Sequence, residues 1–212
     1  MTRQILAVWF ILLPGAASGQ VMNARITSGQ IAIRNVCIMP VETRWTKTGW
    51  ISKETHPKEG DAWSTTLQPL IGESLATAGG KDVSQTIAPA ILEHDENLRQ
   101  TVFQLQQKLD SVVKLMGWHT FDIKRGRFSL GDSVARLPCA AQADAILFLR
   151  ASVNAPLVKR FSQSTLAMVF VDAKSGELLA YVKLNKMADL KKPRESYMDS
   201  LVDRFRTVQE GH

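Results

Sequence analysis

The sequence predicts an α/β sandwich: a mixed β-sheet with helices packed on it, closed by a C-terminal β-hairpin and a last helix. Three stretches carry that reading. Residues 144–153 (DAILFLRASV) are almost wholly apolar, as a strand covered on both faces must be. Residues 166–172 and 177–184 read as strands joined by Ala173-Lys174-Ser175-Gly176, a Gly-containing link of hairpin length. Residues 92–116 place Leu98, Val102, Leu105, Leu109, Val112 and Met116 at three- and four-residue steps, the stripe of a helix with one buried face. Strands and helices in mixed order argue for helices layered on a sheet.

The other elements follow in order. Residues 31–41 (IAIRNVCIMPV) read as the first strand, rich in β-branched residues and ending at Pro40. Residues 42–63 form a long irregular segment with Gly49, Pro57 and Gly60. Leu67, Leu70, Ile71, Leu75 and Ala78 then recur at helical spacing. Gly79-Gly80 supplies the stop, and Pro69 is placed in the first turn, where a missing N–H costs little. Residues 82–88 (DVSQTIA) alternate like a short strand, and Gly117 closes the long helix. The run 120–127 is polar and ends in KRGR. Residues 128–131 lead into a short helix over 132–142, capped by Ser129 or Asp132. Residues 196–206 close the chain with Tyr197, Leu201, Val202 and Phe205 on one helical face. There is no repeat and no linker, so residues 20–212 read as one domain.

The first nineteen residues read as a secretory signal peptide. Arg3 is a short positive start, residues 5–13 (ILAVWFILL) are an unbroken apolar run, and Ala16, Ala17, Ser18 and Gly19 offer a small-residue cleavage site. The run is too short for a spanning helix, which needs about 20 residues. Cleavage after Ser18 or Gly19 fits, and no second long apolar segment follows, so the expectation is an exported protein without a transmembrane segment. The chain of 212 residues is 45% hydrophobic and 22% charged, ordinary for a globular protein, with a formal net charge of +6. Export argues against nucleic acid as the partner of that charge. The two cysteines, Cys37 and Cys139, are able to pair in an oxidising compartment. Two buried free thiols remain equally open.

The early strand running into Pro40, the helix ending at Gly79-Gly80, the stretch ADAILFLRASV and the run LAMVFVDAKSGELLAYV occur in an order that resembles one group of envelope domains. That group contains the curli-secretion lipoprotein, the outer-membrane activators of peptidoglycan synthases and the N-terminal domain of TolB. Ala143-Asp144-Ala145 and the turn from Asp172 to Glu177 carry the resemblance, over roughly residues 31–184. It implies a domain that binds proteins or assembles at the envelope, with no catalysis. This chain lacks the lipidated cysteine of many relatives and adds a Trp-rich segment after the first strand.

Chemistry-bearing residues concentrate in that segment, 42–63. Trp45, Trp50 and Trp63 stand among Arg44, Lys47, Lys53 and Lys58. Tryptophan offers a large rigid contact surface with one donor, so a long exposed loop built this way reads as a binding surface. The competing reading folds the rings back onto the core. The expected binding residues are Trp45, Trp50, Trp63, Arg44, Lys47 and Lys53, and the expected partner is an envelope protein or a cell-wall polymer, with self-association left open. His94, Asp95 and Glu96 read as a charge cluster at a helix start, since adjacent residues point in different directions. No metal or cofactor motif is present, and neither is Gly-x-Ser-x-Gly or Ser-x-x-Lys. An envelope hydrolase acting on glycan or peptide is the enzymatic alternative, with Glu42, Glu54, Asp61 and His56 as its acid–base candidates. A subunit of a secretion or assembly complex is a third reading.

Overall fold

The computed structural model describes residues 19–48, 53–79, 87, 89–115, 120–156, 161–189 and 193–211. In chain order the elements are β1 (Gly19–Met22), α1 (Ala24–Thr27), β2 (Val36–Ile38), β3 (Glu42–Thr48), β4 (Lys53–Thr55), α2 (Pro57–Gly79), α3 (Pro89–His94), α4 (Glu96–Leu115), α5 (Thr120–Lys124), a 3-10 turn (Asp132–Arg136), β5 (Ala145–Pro156), β6 (Phe161–Asp172), β7 (Leu178–Asp189) and α6 (Pro193–Glu210). The seven strands form one mixed sheet in the order β1-β7-β6-β5-β3-β4, with β2 also on β5. β5, β6 and β7 run antiparallel, while β2 and β3 lie parallel to β5. The α/β sandwich, the hairpin and the closing helix are as the sequence predicts.

Strand alternation divides the core in two. Leu147, Leu149, Ala151 and Val153 of β5 face one side, with Met168 and Phe170 of β6, under α2 and α6. Ile146 and Phe148 face the other, with Val169 and Val171, under α4 and the segment leading into β5. On the first side, Trp63, Leu67, Ile71 and Leu75 of α2 meet Leu201, Phe205 and Val208 of α6 over the sheet. On the second, Leu98, Val102, Leu105, Leu109 and Val112 form the buried stripe of α4. The alternating burial explains why β5 reads as a continuous apolar run: both of its faces are inside.

Several boundaries differ from expectation, each for a local reason. The strand expected over 31–41 is three residues, β2. Pro40 has no N–H for the ladder, and the pairing offset with β5 changes by one residue between β2 and β3. The helix expected around Leu67 starts ten residues earlier, so Pro69 lies inside α2 rather than in its first turn. Pro69 and Thr65 are both exposed, so the carbonyl that loses its partner there is on the water side. The helix expected over 92–116 is two, broken at Asp95, whose carboxylate accepts from the Leu98 N–H at 2.9 Å and caps α4. The helix expected over 132–142 is a 3-10 turn without a side-chain cap. Ser129 instead accepts from the Gly131 N–H at 2.9 Å and donates to the Ser175 carbonyl at 3.1 Å. Of the strand expected over 82–88 only Ile87 is described, its N–H donating to the Ile38 carbonyl at 3.0 Å, and the helix end at Met116 and Gly117 lies outside the described residues.

The segment before residue 31, a polar lead by sequence, builds β1 and α1. β1 pairs antiparallel with β7, Gln20 opposite Val182. Asn23, almost wholly buried, ties the start of α1 to the start of β7. Its N–H donates to the Leu179 carbonyl at 2.8 Å, its side-chain oxygen accepts from the Arg25 N–H at 2.9 Å, and its amide donates to Glu177 at 2.6 Å. Leu179 is the extra residue of a β-bulge between β6 and β7, which leaves its carbonyl outside the ladder and open to Asn23. Gly211, at φ +76°, brings the end of the chain against the Ile26 carbonyl.

The aspartates of the resemblance motifs hold turns. Asp144 accepts from the N–H groups of Arg34 and Asn35 at 3.0 and 2.9 Å. Asp172 accepts from the N–H groups of Lys174 and Ser175 at 3.0 and 2.7 Å and from the Ser175 hydroxyl at 2.8 Å, and Gly176, at φ +70°, completes that turn. The two cysteines are joined. The Cys37–Cys139 disulfide, with a Cα–Cα distance of 6.0 Å, staples β2 to the turn that precedes β5.

Candidate functional site

The described residues of the segment 42–63 do not form a loop. Its described part is β3, β4 and the start of α2, so strand alternation decides where each side chain goes. Thr43, Trp45 and Lys47 face α2: the Ser64 hydroxyl donates to that of Thr43 at 2.8 Å, the rings of Trp45 and Trp63 meet edge to face at 6.1 Å, and Lys47 pairs with Glu59 at 3.0 Å. The Lys47 hydrogen bond holds the Glu59 carboxyl below the usual range. Gly60 permits this packing, because a Cβ there would lie 2.7 Å from the Thr43 carbonyl oxygen. Trp63 is 6% exposed and Trp45 half-buried, and the indole nitrogens of both are buried without an acceptor among the described residues. The rings fold back onto the core, which corrects the expectation of an exposed aromatic loop for these two. Trp50 lies outside the described residues. Lys53 is exposed on β4, at the end of the sheet.

Glu42 and Arg44 face the opposite way, towards α4. There they border a cleft of about 290 Å³ whose floor is the sheet itself. The floor is laid out in two cross-strand rows. Glu42, Arg150, Ala167 and Lys183 are successive neighbours in one, and Arg44, Ser152, Thr165 and Asn185 in the next. Tyr181 and the α4 residues Asp110 and Val113 complete the wall. Ala167 makes the depression, a small side chain where its neighbours in the row are long.

Arg150 is the fixed point of the cleft. Its guanidinium donates to Glu42 at 2.7 Å and to the Gln106 carbonyl at 3.1 Å, and it pairs with Asp110 of α4. Burial pulls its pKa down and the Glu42 charge opposes the fall. An arginine so placed stays charged and needs such partners. Burial alone raises the Tyr181 hydroxyl pKa. The remaining cations of the cleft, Arg44 and Lys183, make no ion pair among the described residues. Two carboxylates are committed to Arg150, so the cleft keeps an excess of positive charge at its two ends.

The four acid–base candidates do not share one site, though His56 and Glu54 approach each other. Glu42 lies in the cleft, on the α4 face. His56 lies on the other face of β3, with its Nδ1 3.1 Å from Glu59 and its Nε2 3.9 Å from the exposed Glu54. Asp61 is exposed on α2. Of the cleft residues the sequence reading singled out only Arg44 and Glu42. Arg150 had a signal of its own, a lone charge inside an apolar strand.

No protein-family model and no curated protein matches the sequence. Solved structures do. The chain is similar to PelC of Paraburkholderia phytofirmans, crystallised as a dodecamer, at 12% identity and a TM-score of 0.44 over 92% of this chain and 99% of that one for a point variant. A second crystal form of the PelC dodecamer gives 10% identity and 0.44 over 92% and 98%. The C-terminal domain of LpoB from Salmonella enterica is similar at 13% identity and a TM-score of 0.32, over 79% of this chain and 96% of that domain. The likeness is one of fold. Among the described residues no helix is long and apolar enough to cross a membrane, and no cluster of metal-ligating side chains occurs.

Proposed function

We propose that this is an exported cell-envelope protein that binds a protein partner or a cell-wall polymer without catalysing a reaction on it. Residues 1–19 would serve as the signal peptide and 20–212 as the mature domain. The placement of β1 supports this boundary, since removal of the chain up to Ser18 or Gly19 leaves the pairing of Gln20, Val21 and Met22 with β7 in place. The observation that carries the binding role is the cleft on the α4 face, where Arg44 and Lys183 present charge with no carboxylate of their own among the described residues. In this reading the segment 42–63 contributes in two ways. Arg44 and the exposed Lys53 contact the partner, while Trp45 and Trp63 anchor β3 to α2 and hold Arg44 at its place on the sheet.

Capture from envelope extracts tests it. Mature protein produced in the periplasm is immobilised beside an Arg44→Gln/Lys183→Gln variant and a Lys47→Gln variant. The expected result is one component retained by the wild type and by Lys47→Gln and lost by the cleft variant. Equal retention by all three sinks the assignment of the cleft.

A further inference from the structure

We infer that the cleft takes a carboxylate-bearing oligosaccharide, an inference that rests on the binding role proposed above and names the ligand for the same site. The argument starts from what a sheet face offers. In β5, β6 and β7 the backbone donors and acceptors are used in the ladders. A peptide laid across them would bring a donor and an acceptor per residue and find few partners. A sugar chain brings hydroxyls, ring carboxylates and the apolar face of each ring, and side chains alone are able to meet all three.

The floor is arranged for that chemistry. Strands lie about 4.8 Å apart and successive residues on one face about 6.8 Å apart. Arg44 and Lys183 are three strands and one row removed from each other, so their Cα atoms are separated by roughly 16 Å across the cleft. Between them stand the Ser152 and Thr165 hydroxyls, one exposed and one half-buried. Thr165 donates to the Asn185 side-chain oxygen at 2.9 Å, which leaves its own oxygen as an acceptor. Ala167 and Val113 supply a small apolar surface beside them. Each terminal cation matches a ring carboxylate, the central hydroxyls match sugar hydroxyls, and the volume, at the small end of ligand pockets, suits a short stretch of chain. Arg150, held by Glu42 and Asp110, takes no ligand charge and keeps the floor rigid.

The test is calorimetric titration of the mature protein with trigalacturonate, against a neutral trisaccharide and hexaglutamate at the same ionic strength. Trigalacturonate is expected to bind, the neutral sugar at least tenfold more weakly, and hexaglutamate more weakly still. Arg44→Gln and Lys183→Gln each remove a charge-assisted contact and are expected to weaken binding about tenfold, and Thr165→Val about threefold, with thermal unfolding unchanged for the two cation variants. Absence of trigalacturonate binding, binding by both cation variants as tight as that of the wild type, or tighter binding of hexaglutamate overturns the inference. Where trigalacturonate fails but envelope capture still depends on Arg44 and Lys183, the ligand class is wrong and the binding role stands. Where capture also becomes independent of them, both fall together.

Discussion

Removing the disulfide is the sharpest test of how this fold is held. The bridge closes a loop with a sequence separation of 102 residues. In the chain-entropy account a loop of this size restrains the unfolded chain by about 4.7 kcal/mol. Both cysteines are buried, Cys37 completely and Cys139 at 3% exposure, and both lie in the α4-side core. The Cys37→Ala/Cys139→Ala variant therefore loses the restraint and keeps the surrounding packing nearly intact. Against a typical net stability of about 5–15 kcal/mol, that is a third or more of the total. With a urea dependence of about 2 kcal/mol per molar, the unfolding midpoint is expected to fall by about 2 M. The assay is equilibrium urea unfolding, followed by tryptophan fluorescence, of the oxidised wild type, the reduced wild type and the double variant. The two disulfide-free states are expected to coincide within about 1 kcal/mol of each other. A double variant whose midpoint equals that of the oxidised protein would refute the reasoning, because the loop would then be closed as tightly without the bond.

Four further outcomes follow from particular contacts. Gly60→Ala places a methyl group 2.7 Å from the Thr43 carbonyl and is expected to destabilise by about 1–3 kcal/mol, read as a lower thermal midpoint. Arg150→Met leaves Glu42 and Asp110 facing each other without their shared cation and is expected to cost about 3 kcal/mol; adding Glu42→Gln and Asp110→Asn should recover most of it in the same urea assay. Trp63→Ala empties a buried ring site beside Trp45, with an expected loss of about 3–5 kcal/mol, whereas Lys53→Gln on the exposed β4 should change stability by less than about 0.5 kcal/mol. Burial raises the Tyr181 pKa, so folding opposes its ionisation. Stability from this source is complete below the unfolded-state value near 10 and is lost as pH rises through the folded value; a Tyr181→Phe variant, followed by unfolding between pH 9 and 11, should show a shallower alkaline decline than the wild type.

The parts of the fold legible in the sequence are those in which one segment meets a uniform environment. β5 is apolar because both faces are buried, and α4 shows its stripe because one face is. The hairpin is legible because Asp172 and Gly176 are chosen by the turn itself. β3 was not, because its two faces meet different surroundings: Trp45 and Lys47 meet a helix, and Glu42 and Arg44 border a cleft. That mixture looks like a loop when read along the chain. β1 is four residues and gains its reason from β7, some 160 positions away. The site was half visible for the same cause. Arg44 stood out in a basic, aromatic stretch, but Ser152, Thr165 and Lys183 become neighbours of it only through the register of four strands. Tryptophan density drew the eye to the right strand and to its wrong face.

The clasp between Asn23 and the β7 bulge has a consequence for the order of events in the life of the chain. β1 must wait for its docking line, Ala180 to Lys183, some 160 positions later in the chain. Until then residues 19–22 have no sheet to join. Closure of this sheet edge therefore follows the formation of β7. A deletion that removes β7 would thus also set β1 loose, and a protease clipping at residue 24 would report whether β7 is in place.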